Sequence, residues 1–118
     1  MAPRYLPEAG DLIWVDFDPR LGSEQSGRRP ALVVSPGEFH RASEFAIVCP
    51  ITSRVRPFGT SVALPAGLPI SGEILTSHIR SIDTVARPIS FVGAAVPGET
   101  LVEVRGKLAA LLGFQLDM

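Results

Sequence analysis

"DLIWVDFDPRLGSEQSGRRPALVVSP", residues 11–36, holds two apolar runs separated by a polar segment that contains two glycines. The first run, residues 11–18, is rich in branched and aromatic side chains and is bounded by Gly10 and Pro19, which predicts a strand. The second, "PALVVSP" (residues 30–36), is continuously apolar, as in a strand buried on both faces. The connection between them, residues 19–29, shows no hydrophobic periodicity and exceeds the two to five residues usual for a hairpin, the mark of a functional loop. Glu24, Arg28 and Arg29 therefore stand at the lip of the core.

Outward from this pair, "FAIVCPIT" (residues 45–52) predicts a third buried strand, and "GEFHRASE" (residues 37–44) predicts a polar turn leading into it. After Thr52 come a second arginine-bearing loop, "SRVRPFG", a short strand in "TSVAL", and a Pro/Gly turn in "PAGLPISG". "EILTSHIRSIDTV" alternates without a cleanly apolar register, which predicts two short strands or one strand with a bulge. "PISFVGAAV" closes the strand series. From Glu99 onward, Leu101, Val104, Leu108, Leu111 and Leu112 recur at helical spacing, with Arg105 and Lys107 off the stripe. Gly113 is placed to stop this terminal helix. Gly106 in its interior costs about 1 kcal/mol relative to alanine, so close packing is expected there. Five to seven short strands and one late helix predict a single mainly β domain over residues 1–118, a small, strongly bent sheet or barrel with a C-terminal helix covering one opening.

The 118 residues are 46% hydrophobic, enough for one core, and the formal net charge of −1 gives no general attraction to polyanions or anionic membranes. A nucleic-acid site must be local. Of the 11 basic residues all but Lys107 are arginine, whose rigid fork binds phosphate or carboxylate at two points. The one cysteine, Cys49, sits in a predicted buried strand and reads as a small core hydrophobe. No segment approaches the ~20 apolar residues of a membrane span, so a cytoplasmic protein without membrane partners is expected. Two histidines, His40 and His78, without Cys/His ligand spacing give no metal site, and no cofactor is expected.

What remains is a set led by arginine: Arg28 and Arg29 ending the first loop, Thr52 and Ser53 ending a strand, Arg54 and Arg56 just beyond, then His78 and Arg80. Each has an ordinary explanation alone. Glu24 with either arginine makes a surface ion pair worth about 0–1 kcal/mol, Thr52 a strand end, and His78 a hydrogen-bonded sheet residue. Together, arginines and hydroxyls on loops and strand ends suit a phosphate held at one rim of the sheet.

The run "GDLIWVDFDPRLGSEQSGRRPALVVSP", followed by "CPIT" and "IRSID", resembles the MazF/PemK family of toxin endoribonucleases over nearly the whole chain, Arg4 to Gly113. The resemblance implies a homodimer of SH3-like barrels that cuts single-stranded RNA without a metal, the 2′-hydroxyl attacking the adjacent phosphorus to leave a 2′,3′-cyclic phosphate and a 5′-hydroxyl. Matched motif by motif, it implies that Arg29 and Thr52 form the catalytic core, with Glu24 either orienting Arg29 or acting as base. It implies that Ser23, Gln25, Ser53, Arg54, Arg56, His78 and Arg80 line the RNA groove, with Arg28 near its edge. His78 stands where glutamine is common in the family, which leaves base specificity open. The implied partner is a cognate antitoxin whose acidic, flexible tail occupies that groove. Two other functions belong to this fold or site: a gyrase poison like the CcdB toxins, which depend on a tryptophan near the C-terminus where this chain has only Trp14, and a catalytically silent binding module. Trp14, flanked by Ile13 and Val15, is expected in the core or a dimer contact rather than as a base platform.

Overall fold

The computed structural model describes residues 4–17, 28–54 and 59–114. In chain order these form β1 (Asp11–Asp16), β2 (Arg28–Val33), α1 (Gly37–Ser43), β3 (Phe45–Thr52), β4 (Ser61–Ala63), β5 (Glu73–Leu75), a 3-10 turn (Thr76–His78), β6 (Arg80–Asp83), β7 (Ile89–Ala95) and α2 (Gly98–Leu112). The strands make one antiparallel sheet in the order β4-β5-β3-β2-β1-β7, with β6 also on β3. One edge of β3 pairs with β2. Its other edge is shared, β6 alongside Phe45–Val48 and β5 alongside Ile51 and Thr52. Among the described residues the strand path ends at β4 and β7 and the sheet does not close, an arrangement compatible with a small barrel-like fold.

The continuous apolar runs are explained by burial on both faces. One face gathers Leu12, Leu32, Cys49, Ile51, Val62 and Ile74 beneath Val104 and Leu108 of α2. The other gathers Ile13, Val15, Phe17, Ala31, Val33, Val48 and Ile82, with Tyr5 packed on it. Alternate residues of β1, β2 and β3 thus serve opposite halves of the core, and neither face can tolerate a polar register. Cys49 lies in the first half, as expected, and burial pushes its thiol pKa up to about 12.

Residues 73–85 form two short strands, with the 3-10 turn taking the place of a bulge. The buried Thr76 anchors that turn by donating its hydroxyl to the Thr60 carbonyl. Residues 37–43, expected as a polar turn, are instead the short helix α1. Its one deeply buried side chain, His40, makes the difference: Ser35 Oγ lies 2.7 Å from Nε2, and Nδ1 donates to the Pro7 carbonyl. Seven residues with a single tertiary anchor show no periodicity.

Helix α2 starts at Gly98 and ends as predicted. Gly113 adopts φ 81°, and the Phe114 N–H reaches the Ala109 carbonyl at 2.8 Å, closing a Schellman turn. The off-stripe cations tether the helix to the sheet: Arg105 donates to the Val34 carbonyl at 3.2 Å, and Lys107 donates to the carbonyls of Gly59 and Ser61 at 2.8 and 3.0 Å. The expectation of close packing at Gly106 is corrected, because a Cβ there would meet nothing within 4 Å. Gly106→Ala is therefore expected to stabilise the fold by about 0.5–1 kcal/mol, seen as a rise of a few degrees in the thermal midpoint. A fall in the midpoint would mean that this helix face is occupied in the assembled protein.

Candidate functional site

Arg28 and Arg29 are the first two described residues of β2 and pair with Asp16 and Val15 of β1, ahead of the apolar run. Adjacent residues of a strand point to opposite faces. Arg29, paired with Val15, lies on the face of Ala31 and Val33, whereas Arg28, paired with Asp16, lies on the face of Leu32. Both are exposed.

The β2–β3 register pairs Val33 with Val48, Leu32 with Cys49 and Ala31 with Pro50. Continued by two residues past the last of these pairs, the same register sets Arg29 opposite Thr52, residues separated by 23 positions in sequence. Thr52 is half-buried and ends β3. Its Oγ1 accepts the Arg54 N–H at 3.1 Å, so the chain turns there and the hydroxyl keeps its own proton to donate. Its carbonyl is packed from behind by Gly72, at which a Cβ would stand 2.3 Å from Thr52 O. Ser53 and Arg54 follow at the bend, both exposed. Continued in this way, the register brings the Arg29 and Thr52 positions to the same rim of the sheet, with Arg54 two residues beyond Thr52.

Arg80 and His78 lie further back. Arg80 pairs with Val48, four residues before Thr52, or about 13 Å along the strand. Its guanidinium sits 5.2 Å from the Phe17 ring centre, a cation–π contact on the same face as Arg29. His78 is exposed at the end of the 3-10 turn, between the segments of β3 edge held by β5 and β6. Arg28 is turned from the Arg29 face: its Nη2 donates to Ser90 Oγ at 3.0 Å and its guanidinium lies 5.5 Å from the centre of the Trp14 ring. Trp14 itself is half-buried against the core, the position expected for it. Ser23, Glu24, Gln25 and Arg56 lie outside the described residues. Among the described residues no group of three or more His, Cys, Asp or Glu could hold a metal, and no helix is long and apolar enough to cross a membrane.

Sequence reasoning missed Asp16 and Ser90, which with Arg28, Pro88 and Ile89 line a cavity of about 290 Å³ beside the arginine rim. Nothing in the local sequence joins positions 16 and 90; only β7, returning to pair with β1, brings them together.

Residues 8–112 match the family of PemK-like, MazF-like toxins of type II toxin–antitoxin systems. The chain belongs to that family. It is 38% identical over 113 residues to the endoribonuclease toxin MazF of Escherichia coli K12, covering 96% of this chain and 100% of that one. Among solved structures, the crystal structure of MazF from Deinococcus radiodurans is 45% identical with a TM-score of 0.84, covering 94% of this chain and all of that one. A MazE–MazF crystal structure from the same organism is 43% identical with a TM-score of 0.86, at the same coverage. The MazF-like fold is therefore that of a mainly β sheet with a C-terminal helix, as the sequence pattern predicted.

Proposed function

We propose that this chain, a single toxin domain, is an endoribonuclease that cuts single-stranded RNA at short specific sequences, acts without a metal in the cytoplasm and is silenced by a cognate antitoxin. What supports this is the β2–β3 register, which continued past Ala31 and Pro50 brings Arg29 to the exposed rim where Thr52 ends β3, in a family whose relatives are named endoribonucleases. The substrate supplies the nucleophile. As the ribose 2′-oxygen bonds to phosphorus, the bond from phosphorus to the 5′-oxygen breaks; the 2′ proton passes to a base and the leaving oxygen gains a proton. Arg29 holds a non-bridging oxygen against the charge of the phosphorane, and Thr52 donates a hydrogen bond to the same phosphate. Glu24 serves as base or orients Arg29.

Ser53, Arg54 and Arg80, with Ser23, Gln25, Arg56 and His78, line the groove along which the RNA lies, and Arg28 borders it. The protein works as a homodimer. The relatives crystallised as MazE–MazF complexes support an antitoxin partner, and an acidic tail from it would compete with phosphate for the arginines. The test is incubation of the purified protein in EDTA with a long single-stranded RNA, followed by mapping of cut positions and end chemistry. Discrete cuts at one short sequence with cyclic phosphate ends are expected. Failure of the folded protein to cut varied RNAs, with or without divalent metal, would sink the assignment.

A further inference from the structure

The chain leaves the sheet after Thr52, the last residue of β3, and re-enters it at Ser61, the first residue of β4, on the far side of β5. Residues 53–60, which connect the two, include Arg54 and Arg56. The point of departure is held by β5, because Thr52 is the Cα partner of Glu73, and by the Arg54 N–H that Thr52 Oγ1 accepts at 3.1 Å. The point of re-entry is held through three consecutive carbonyls. Lys107 of α2 donates to those of Gly59 at 2.8 Å and Ser61 at 3.0 Å, and the Thr76 hydroxyl donates to that of Thr60 between them. Ser61 Oγ in turn donates to Glu73 Oε1 at 2.9 Å. Glu73 thus joins both ends of the connection, Thr52 through strand pairing and Ser61 through its carboxylate.

Lys107 is the one lysine among 11 basic residues, and its geometry suits the task. A compact ammonium has three N–H groups on one atom and meets two convergent carbonyls from a single point, whereas the planar fork of arginine is matched to carboxylate and phosphate. Charge assistance makes these bonds stronger than their neutral counterparts. Strand β4 is three residues long and ends the strand path among the described residues, so it has few other holds. Helix α2, by contrast, is anchored without Lys107: Val104 and Leu108 are buried in the core and Arg105 donates to the Val34 carbonyl. Loss of the ammonium therefore frees Gly59 and Ser61 and leaves the helix seated. It also leaves Thr52 in place, paired with Glu73 and backed by Gly72.

We propose that Lys107 is a positioning residue of the ribonuclease, which by holding Gly59 and Ser61 fixes the end of the connection bearing Arg54 and Arg56 and so sets RNA affinity without entering the chemical step. The proposal rests on the ribonuclease assignment and brings α2, which bears none of the expected site residues, into the working of the site. Its ammonium is spent on backbone carbonyls, so Lys107 acts through the two arginines and not as a phosphate contact of its own.

The experiment compares the full-length protein with Lys107→Met, which keeps the apolar stem but has no donor, and Lys107→Arg, which restores donors. Binding is read with 2′-O-methyl RNA, which lacks the attacking hydroxyl, and cutting with the parent RNA in single turnover, both per folded molecule. Lys107→Met is expected to weaken binding by about 10-fold, the scale of coupling within one hydrogen-bond network, while the rate at saturating RNA stays within about 2-fold. Lys107→Arg should recover most of the affinity. The slope of log affinity against log salt should be unchanged in Lys107→Met, whereas Arg54→Ala should lower it by about 0.7, the loss of one phosphate contact on a single strand. With Arg54→Ala and Arg56→Ala both present, adding Lys107→Met should cost less than about 2-fold. Ser61→Ala, which releases the same end from Glu73, should weaken binding with the saturating rate kept, and it reads the effect also where Lys107→Met fails to fold. Unchanged binding in folded Lys107→Met or in Ser61→Ala overturns the role, as does a saturating rate that falls as far as the affinity. A salt slope lowered in Lys107→Met would make the lysine a direct phosphate contact, and an undiminished cost on the double-alanine background would make it a general support of the fold; either overturns the proposal. These outcomes leave a wild-type protein that cuts RNA, whereas wild-type protein that neither binds nor cuts RNA overturns the ribonuclease assignment and the role of Lys107 with it.

Discussion

Arg29→Ala is expected to lower single-turnover RNA cleavage by about 10²–10³-fold, the loss that follows removal of one preorganised donor from a developing oxyanion. Arg29 is exposed at the start of β2, before the apolar run that anchors the strand, so the thermal midpoint should move by no more than about 0.5 kcal/mol in equivalent stability. Arg29→Lys keeps the charge but loses the two-point fork, and should recover only part of the rate. Near wild-type cleavage by a folded Arg29→Ala protein would remove the mechanism, because no other described cation lies directly across from Thr52 in the β2–β3 register.

The second large effect comes from a residue that would touch no RNA. Gly72 has φ 134°, and a Cβ there would stand 2.3 Å from Thr52 O, 3.0 Å from Thr52 C and 3.4 Å from Ile51 Cγ2. Two of those atoms are backbone and cannot swing aside. Gly72→Ala is expected to cost about 3 kcal/mol or more, from conformational strain of about 1–3 kcal/mol plus displacement of the β3 end. Since the atom struck first belongs to Thr52, cleavage per folded molecule should fall as well. Denaturant unfolding read beside cleavage by the folded fraction separates the two. A change in stability below about 0.5 kcal/mol would show that the β3–β5 junction relaxes freely.

Gly72 also shows where sequence stops being legible. In "PAGLPISG" it reads only as turn punctuation, because the demand on it comes from a carbonyl twenty positions earlier. The helix α1 was missed for a related reason: seven residues held by one buried histidine carry no periodic signal, and the partners Ser35 and Pro7 lie outside the segment. Gly106 failed in the opposite direction, its presence suggesting a close neighbour that is not there.

What the sequence by itself determined is the strand content and the terminal helix with its Gly113 stop, and it offers loop arginines and a strand-end hydroxyl as candidates for phosphate chemistry. Those follow from local patterns: continuous apolar runs for strands buried on both faces, three- and four-residue spacing for a helix, residue type for charge and hydrogen bonding. The family motif in the sequence already singled out Arg29 with Thr52; tertiary structure decided the faces. Alternation along β2 sends Arg28 and Arg29 to opposite faces, and the β2–β3 register, continued past Ala31 and Pro50, carries Arg29 toward the Thr52 rim. It also decided the cavity of Asp16, Arg28 and Ser90, because β7 returns to β1 from more than seventy positions away. Side-chain chemistry is written in the sequence, but which side chains meet depends on strand register, and register is fixed by the burial of both faces at once.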